Sequence, residues 1–175
     1  MSKSISKILC ASDLSVFSGH MLRYAISLAK AEKASVILFH SVEPLGVLAD
    51  AMLESYVPQD FMGQVKTKGM PSIVEAIRQQ VVQSVAEECE SLGITPALID
   101  DVIVEVGQAE DTILDAIKKH RIDLLLCGSG GQHEEHPTPL GSTASKLLQL
   151  SPVPVLMIPF SQQPKLNLKA ANSSF

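Results

Sequence analysis

The sequence predicts a single-domain α/β fold, a five-stranded parallel sheet in the order 3-2-1-4-5 with helices on both faces. Its 175 residues are enough for one domain with a real core. The chain is 46% hydrophobic but only 4% aromatic, a composition that suits a buried parallel sheet under helices. Short apolar runs also alternate with segments whose apolar residues recur at helical spacing.

Each element follows from a local pattern. The predicted strands are the apolar runs 5–12, 35–42, 97–106, 122–128 and 152–159. The predicted helices are 18–32, 71 to about 92, 109–120 and 142–150. Proline suits a first helical turn and glycine follows a last one, so Pro71 and Gly93 are expected to bound the second helix. Glu110 and Asp111 open the third helix with the polarity that a helix dipole favours.

Two segments lack such a pattern. Residues 43–70 are interrupted by proline and glycine and predict a long insertion or lid, since connections of that length are often functional. Residues 161–175 are polar and unpatterned, and they predict a flexible tail after a domain that spans residues 1–160.

The predicted strand order places a ligand site at one edge of the sheet. Between strands one and four the order reverses, and ligands of such sheets bind beyond the carboxyl ends of the strands at that point. Strand one delivers Ala11, Ser12 and Asp13 to this edge, and strand four delivers Gly128 and the residues after it.

A glycine-rich loop follows strand four. Gly128, Gly130 and Gly131 lie at its start, and the run Gly141-Ser142-Thr143 lies at its end. Glycines let backbone N–H groups approach an anion, and a helix N-terminus offers further amides. The spacing is equally compatible with a phosphate cradle and with a surface loop that ends in a helix cap. It is neither the Walker nor the Rossmann pattern.

Other polar residues near this edge allow both a functional and a structural interpretation. Asp13 can bind ribose hydroxyls or cap the first helix. The run His133-Glu134-Glu135-His136 favours a solvated loop tip over a metal site, because the prolines beside it prevent a regular helix. Its carboxylates can still help to hold a nucleotide-bound divalent cation. No catalytic set is apparent, and Cys127 in an apolar strand is expected to be an inert thiol.

Composition excludes several classes of function. A net charge of -5 and the absence of basic clusters argue against nucleic acid. No apolar run reaches the roughly 20 residues that span a bilayer. Three cysteines without zinc-like spacing predict a reducing, cytoplasmic location.

Together these segments resemble the nucleotide-binding branch of the universal stress protein family. The loop reads G-x2-G-x9-G-S from Gly128 to Ser142, and it is followed by a helix and the strand "PVPVLMIP". "KILCASDLS" is similar to the family's first strand and acidic turn, and "VILFHSVEP" to its second strand.

The resemblance implies a Rossmann-like fold of the adenine nucleotide alpha hydrolase type, and a cytoplasmic homodimer that pairs through strand 152–159. It implies binding of ATP, or another adenine nucleotide, with Mg or Mn held through the phosphates. It also implies no catalytic residues and at most a weak ATPase activity. The implied nucleotide contacts are Ala11, Ser12, Asp13, Ser41, Cys127, Gly128, Gly131, Gln132, Gly141, Ser142 and Thr143.

Two alternatives stay open. The first is a dimeric protein-interaction module of the same fold, whose acidic loop between Gln132 and Leu140 abolishes nucleotide binding. The second is an enzyme that hydrolyses or transfers phosphoryl groups.

Overall fold

The computed structural model describes residues 4–13, 18–42, 59–91, 93, 96–130 and 140–159. The strands are β1 (Lys7–Ala11), β2 (Ser35–Val42), β3 (Ile99–Val106), β4 (Leu124–Gly128) and β5 (Val155–Ile158). The helices are α1 (Ser18–Glu32), α2 (Gln59–Ser91), α3 (Ala109–Lys119) and α4 (Ser142–Leu150). A short 3-10 turn, Pro96–Leu98, precedes β3.

The five strands form one sheet in the order β3-β2-β1-β4-β5, and every neighbouring pair is parallel. The predicted fold class and strand order are therefore confirmed. Two buried clusters lie on opposite faces of this sheet. One joins α1 and α2 to residues such as Cys10 and Leu38. The other joins α3 and α4 to residues such as Phe39 and Cys127.

The second helix is longer than the sequence predicts. It begins at Gln59 rather than Pro71, so the end of the predicted insertion is helical and Pro71 lies inside the helix. Proline in a helix interior removes one backbone hydrogen bond. Local propensity is nevertheless a weak constraint that its context can override. The end of α2 agrees with the prediction, since Gly93 follows it with φ of 60°.

Strand five is shorter than predicted and begins at Val155. Pro152 and Pro154 have no N–H group and cannot donate to a sheet ladder. The carbonyl oxygen of Pro154 still accepts a hydrogen bond from the Leu125 N–H, with an N···O distance of 3.0 Å.

Strand four is shorter too and begins at Leu124. Just before it, the Asp123 carboxylate accepts hydrogen bonds from the backbone N–H groups of Ser6 and Lys7. The Asp123 N–H also donates to the Lys7 carbonyl oxygen at 2.9 Å, so Asp123 holds the start of β4 beside the start of β1. Within the part of the chain that the structure describes, no helix has both the length and the apolarity needed to cross a membrane.

Candidate functional site

The end of β1 lies within one residue of the end of β4, whereas β2 continues three residues further, from Phe39 to Val42. Ala11, the last residue of β1, is paired with Phe39 of β2 and with Cys127 of β4. The chain continues from β1 towards α1 on one face, and from β4 towards α4 on the other. Neighbouring connections that leave to opposite faces open a crevice at the strand ends, which is where the sequence predicted a ligand site.

The residue after β1 is held against β2 by its backbone. The Ser12 N–H donates to the Phe39 carbonyl oxygen at 2.9 Å, and Nδ1 of His40 lies 2.8 Å from the Ser12 carbonyl oxygen. Because a carbonyl only accepts, the His40 proton is on Nδ1. Two hydrogen bonds thus position Ser12, and the exposed Asp13 follows it directly.

Ser41, at the end of β2, is held by β3 and α3. Its hydroxyl donates to the Gly107 carbonyl oxygen at 2.9 Å, and Oγ1 of Thr112 lies 3.0 Å from Oγ of Ser41. The Gly107 N–H in turn donates to the carbonyl oxygen of Val42 at 3.0 Å. The hydroxyl of Ser41 is therefore engaged inside the protein.

The thiols of Cys10 and Cys127 in the sheet are largely protonated near neutral pH. Burial raises the pKa of Cys127 to about 11 and that of Cys10 to about 12. A thiolate is the reactive form, and it is scarce near neutral pH at either residue. The expected inert role of Cys127 agrees with this, and its position at the end of β4 leaves packing as its contribution to the crevice.

The start of α4 lies beside the end of β4. The Gly141 N–H donates to the Ser129 carbonyl oxygen at 3.0 Å, and the Ser129 N–H donates to the Ile158 carbonyl oxygen at 3.0 Å. Within α4 the first backbone bond runs from the Ser145 N–H to the Gly141 carbonyl oxygen at 2.8 Å.

The first turn of α4 therefore offers backbone donors. Gly141 makes no side-chain cap, and the N–H groups of Ser142, Thr143 and Ala144 precede the first intrahelical bond. Such amides carry the positive end of the helix dipole. The predicted Gly141, Ser142 and Thr143 are thus brought to the same crevice as Gly128.

Part of the predicted site falls outside the described residues. Gly131, Gln132 and the acidic run 133–136 belong to the segment 131–139 and are not among the residues that the structure describes. Among the described residues, no group of three or more His, Cys, Asp or Glu side chains is placed to hold a metal ion.

The lysine nearest to the loop is paired with α3. Nζ of Lys146 in α4 contacts Oε1 of Glu110 in the first turn of α3. This hydrogen bond lowers the pKa of Glu110 and raises that of Lys146. The pair joins the two helices on one face of the sheet.

Sequence reasoning missed His40, Gly107 and Thr112. Their contacts join positions far apart in the chain, since Ser41 and Gly107 are separated by 66 positions and Ser41 and Thr112 by 71. A signal was present at Gly107, because a glycine directly after a strand and just before a helix is a typical point of close backbone approach.

Comparison with known proteins identifies the family. The family model described as "Universal stress protein family" matches residues 4–159, which is most of the chain. The chain belongs to the universal stress protein family. The resemblance inferred from the strand ends and the glycine spacing is therefore confirmed at the level of the family.

Individual universal stress proteins are similar over nearly their whole length. The chain is 26% identical to universal stress protein YxiE of Bacillus subtilis over 154 residues, which cover 87% of this chain and 98% of that protein. It is 28% identical to universal stress protein A of Photorhabdus laumondii over 152 residues, which cover 87% and 93% of the two chains.

Solved universal stress proteins share the fold. UspA of Lactobacillus plantarum superimposes with a TM-score of 0.65 at 20% identity, covering 90% of this chain and 99% of that chain. A universal stress protein crystallised in complex with cAMP superimposes with a TM-score of 0.56 at 17% identity, covering 89% and 98%.

Proposed function

We propose that this universal stress protein is a nucleotide-responsive regulatory module that binds ATP or a related adenine nucleotide. The observation that carries the proposal is the hydrogen bond between Gly141 and Ser129, which holds the first turn of α4 next to the end of β4. A helix N-terminus beside a glycine-rich strand end is a favourable site for phosphate. The cAMP complex of a relative supports an adenine nucleotide as the ligand class.

The sugar and base would lie towards β1 and β2. Asp13 is exposed at the end of β1 and carries a carboxylate that can accept hydrogen bonds from ribose hydroxyls. Ala11 and Ser12 lie beside it. Ser41 would border the base through its backbone, since its hydroxyl is already bonded to Gly107. Cys127 and Gly128 would line the sugar from β4.

The phosphates would be bound by amides and neutralised by a cation. Gly131, Gln132, Gly141, Ser142 and Thr143 would supply backbone or side-chain donors, while the described part of the proposed site includes neither Lys nor Arg. A divalent cation, Mg or Mn, bound through the phosphates would provide the missing positive charge. The residues therefore fit a metal-bound nucleotide better than a bare triphosphate.

Regulation rather than turnover is the proposed role. Amides that bind phosphate tightly stabilise the ground state, and uniform binding does not accelerate hydrolysis. We expect at most a weak ATPase activity. We also propose a cytoplasmic homodimer that pairs through residues 152–159, because β5 is an edge strand with an exposed Leu156.

Calorimetric titration of the full chain with ATP and Mg²⁺ tests the proposal. We expect saturable binding that is weakened when Asp13→Ala is combined with Gly131→Val. Absence of binding up to millimolar ATP would favour the interaction module without a nucleotide. Undiminished binding by the double variant would place the nucleotide elsewhere, and phosphate release at about 1 per second or faster would favour an enzyme.

A further inference from the structure

Among the residues proposed to meet the nucleotide, Ser41 and Cys127 lie on the α3–α4 face of the sheet, whereas Ser12 lines a cavity on the opposite face. Successive side chains along a strand point to opposite faces. Phe39 and Cys127 pack in the cluster with α3 and α4. Ser41, two residues after Phe39, contacts Thr112 of α3. The other face, beneath α1 and α2, is therefore separate from the side chains of Ser41 and Cys127.

A cavity of about 490 Å³ lies on that other face, between the sheet and helices α1 and α2. Its floor is apolar and includes Cys10, Leu22, Leu38, Val81 and Val102, all of them buried. Pockets for small organic molecules range from roughly 300 to 1,000 Å³. The volume and the floor both suit a small, largely apolar ligand.

Helix α2 presents two rows of side chains to this cavity. One row is apolar and consists of Ile77, Val81 and Val85. The other is polar and consists of Gln80, Ser84 and Glu88, spaced four residues apart along one side of the helix. Because Gln80 and Ser84 are exposed, the polar row forms the mouth of the cavity.

The carboxylate at the mouth is already compensated. Oε1 of Glu88 lies 3.6 Å from Nη2 of Arg23. It also lies so close to Gly19 that a Cβ there would be 2.7 Å away. Gly19 belongs to the first turn of α1, where a helix dipole favours negative charge. Glu88 therefore does not require a cationic ligand.

His40 supplies a directional hydrogen-bonding group. The residue lines the cavity, and its Nδ1 donates to the Ser12 carbonyl oxygen at 2.8 Å. In the neutral ring Nε2 is then an acceptor. The described residues that line the cavity include neither Lys nor Arg, so burying an anion there would cost free energy without a compensating charge.

We propose that this cavity is a second binding site, for an uncharged, largely apolar small molecule that donates one hydrogen bond to His40. The cavity shares Ser12 with the proposed nucleotide site, but its other lining residues are not among the proposed nucleotide contacts, and its occupancy does not require nucleotide. The two sites approach each other at Ser12. Its backbone N–H and carbonyl oxygen are hydrogen-bonded to Phe39 and His40 of β2, and Asp13 follows it directly.

Fluorescence titration of the full chain with N-phenyl-1-naphthylamine tests this site, because the probe is uncharged, apolar and carries one N–H group. We expect one saturable site per chain. Ser84→Phe at the exposed mouth should weaken binding at least about tenfold by filling the entrance. Gln83→Phe, at a neighbouring exposed position outside the lining, is the matched control and should bind as the wild type does.

Three further measurements define the ligand class and the independence of the site. His40→Phe should weaken probe binding about tenfold, because the buried N–H of the probe loses its acceptor. The sulfonated analogue, 1-anilinonaphthalene-8-sulfonate, should bind at least about tenfold more weakly than the uncharged probe. ATP with Mg²⁺ should not compete with the probe.

Four results would overturn the proposal. They are absence of probe binding, wild-type affinity in Ser84→Phe, equal affinity for the sulfonated analogue, and competitive displacement by ATP. Melting temperatures of all variants separate a blocked cavity from a destabilised fold. If His40→Phe does not fold, Ser84→Phe and the sulfonated analogue still decide the result.

Discussion

The Gly141 N–H donates a hydrogen bond to the Ser129 carbonyl oxygen, with an N···O distance of 3.0 Å. The bond joins the start of α4 to the end of β4. Ser129 is itself bonded to Ile158 of β5. The first turn of α4 is therefore held beside the ends of β4 and β5.

Gly107→Ala is expected to destabilise the protein by about 1–3 kcal/mol. Gly107 has φ of 157°, which residues with a side chain rarely adopt, and a Cβ there would lie 2.6 Å from Cγ2 of Thr112. Urea denaturation measures the loss. Gly130→Ala is the control, since a Cβ at Gly130 meets no atom within 4 Å.

The destabilisation by Gly107→Ala has two contributions, the contact with the Thr112 methyl group and the backbone strain, and they can be measured separately. Thr112→Ser removes the methyl group and keeps the hydroxyl, so in the Gly107→Ala background it should restore part of the lost stability. A double-mutant cycle should give a coupling of about 1 kcal/mol. Strictly additive effects would show that the methyl contact contributes nothing.

Lys146→Met should reduce the loss of stability in acid. The hydrogen bond from Lys146 lowers the pKa of Glu110 below its ordinary value of 4.5. The stabilisation is therefore present above that ordinary value and is lost as the pH falls through the lower value of the folded state. Denaturation between about pH 5 and pH 3 should show a shallower decline in the variant.

Lys118→Met is the matched control for this pH dependence. Nζ of Lys118 lies 3.8 Å from Oδ1 of Asp115, and both side chains are largely exposed, at 69% and 78%. Exposed pairs of this kind contribute little. The control should follow the wild-type curve, and a wild-type curve for Lys146→Met as well would contradict the role of the pair.

Leu156→Lys should convert the proposed dimer to a monomer. β5 is one edge of the sheet, and Leu156 is 37% exposed on it. Lysine on an edge strand prevents pairing between strands. Sedimentation analysis measures the mass. Val82→Lys, on α2 and 42% exposed, is the control and should remain dimeric; a monomeric wild type would refute the interface.

The sheet was predictable from sequence because its signals are local and redundant. Each strand is an apolar run, and the right-handed crossover rule restricts the order of parallel strands. The bounds of α2 were less predictable. Gly63, Gly69 and Pro71 disfavour a helix locally, yet α2 runs through all three. Propensity describes single residues, whereas the helix is one cooperative element.

The candidate site was also predictable only in part. The strand ends at Asp13, Ser41 and Gly128 follow from the fold alone. The contacts of Ser41 with Gly107 and Thr112 do not, because they depend on a side-chain rotamer and on the register between β2 and β3. No pattern within a short window encodes them.

The most direct test of nucleotide binding is the affinity for ATP with Mg²⁺ of Ser142→Pro compared with Ser142→Ala. Ser142 is the first residue of α4, a position that proline favours. Gly141 before it has φ of -58° and ψ of 155°, which suit a residue that precedes proline. The proline variant thus removes one backbone donor without disturbing the helix, whereas the alanine variant removes the hydroxyl alone.

Calorimetry should show that wild type binds and that Ser142→Pro binds at least about tenfold more weakly than Ser142→Ala. All three proteins should have similar melting temperatures. Equal affinity in the two variants would contradict phosphate recognition by the amides of α4, and so would the absence of binding by the wild type.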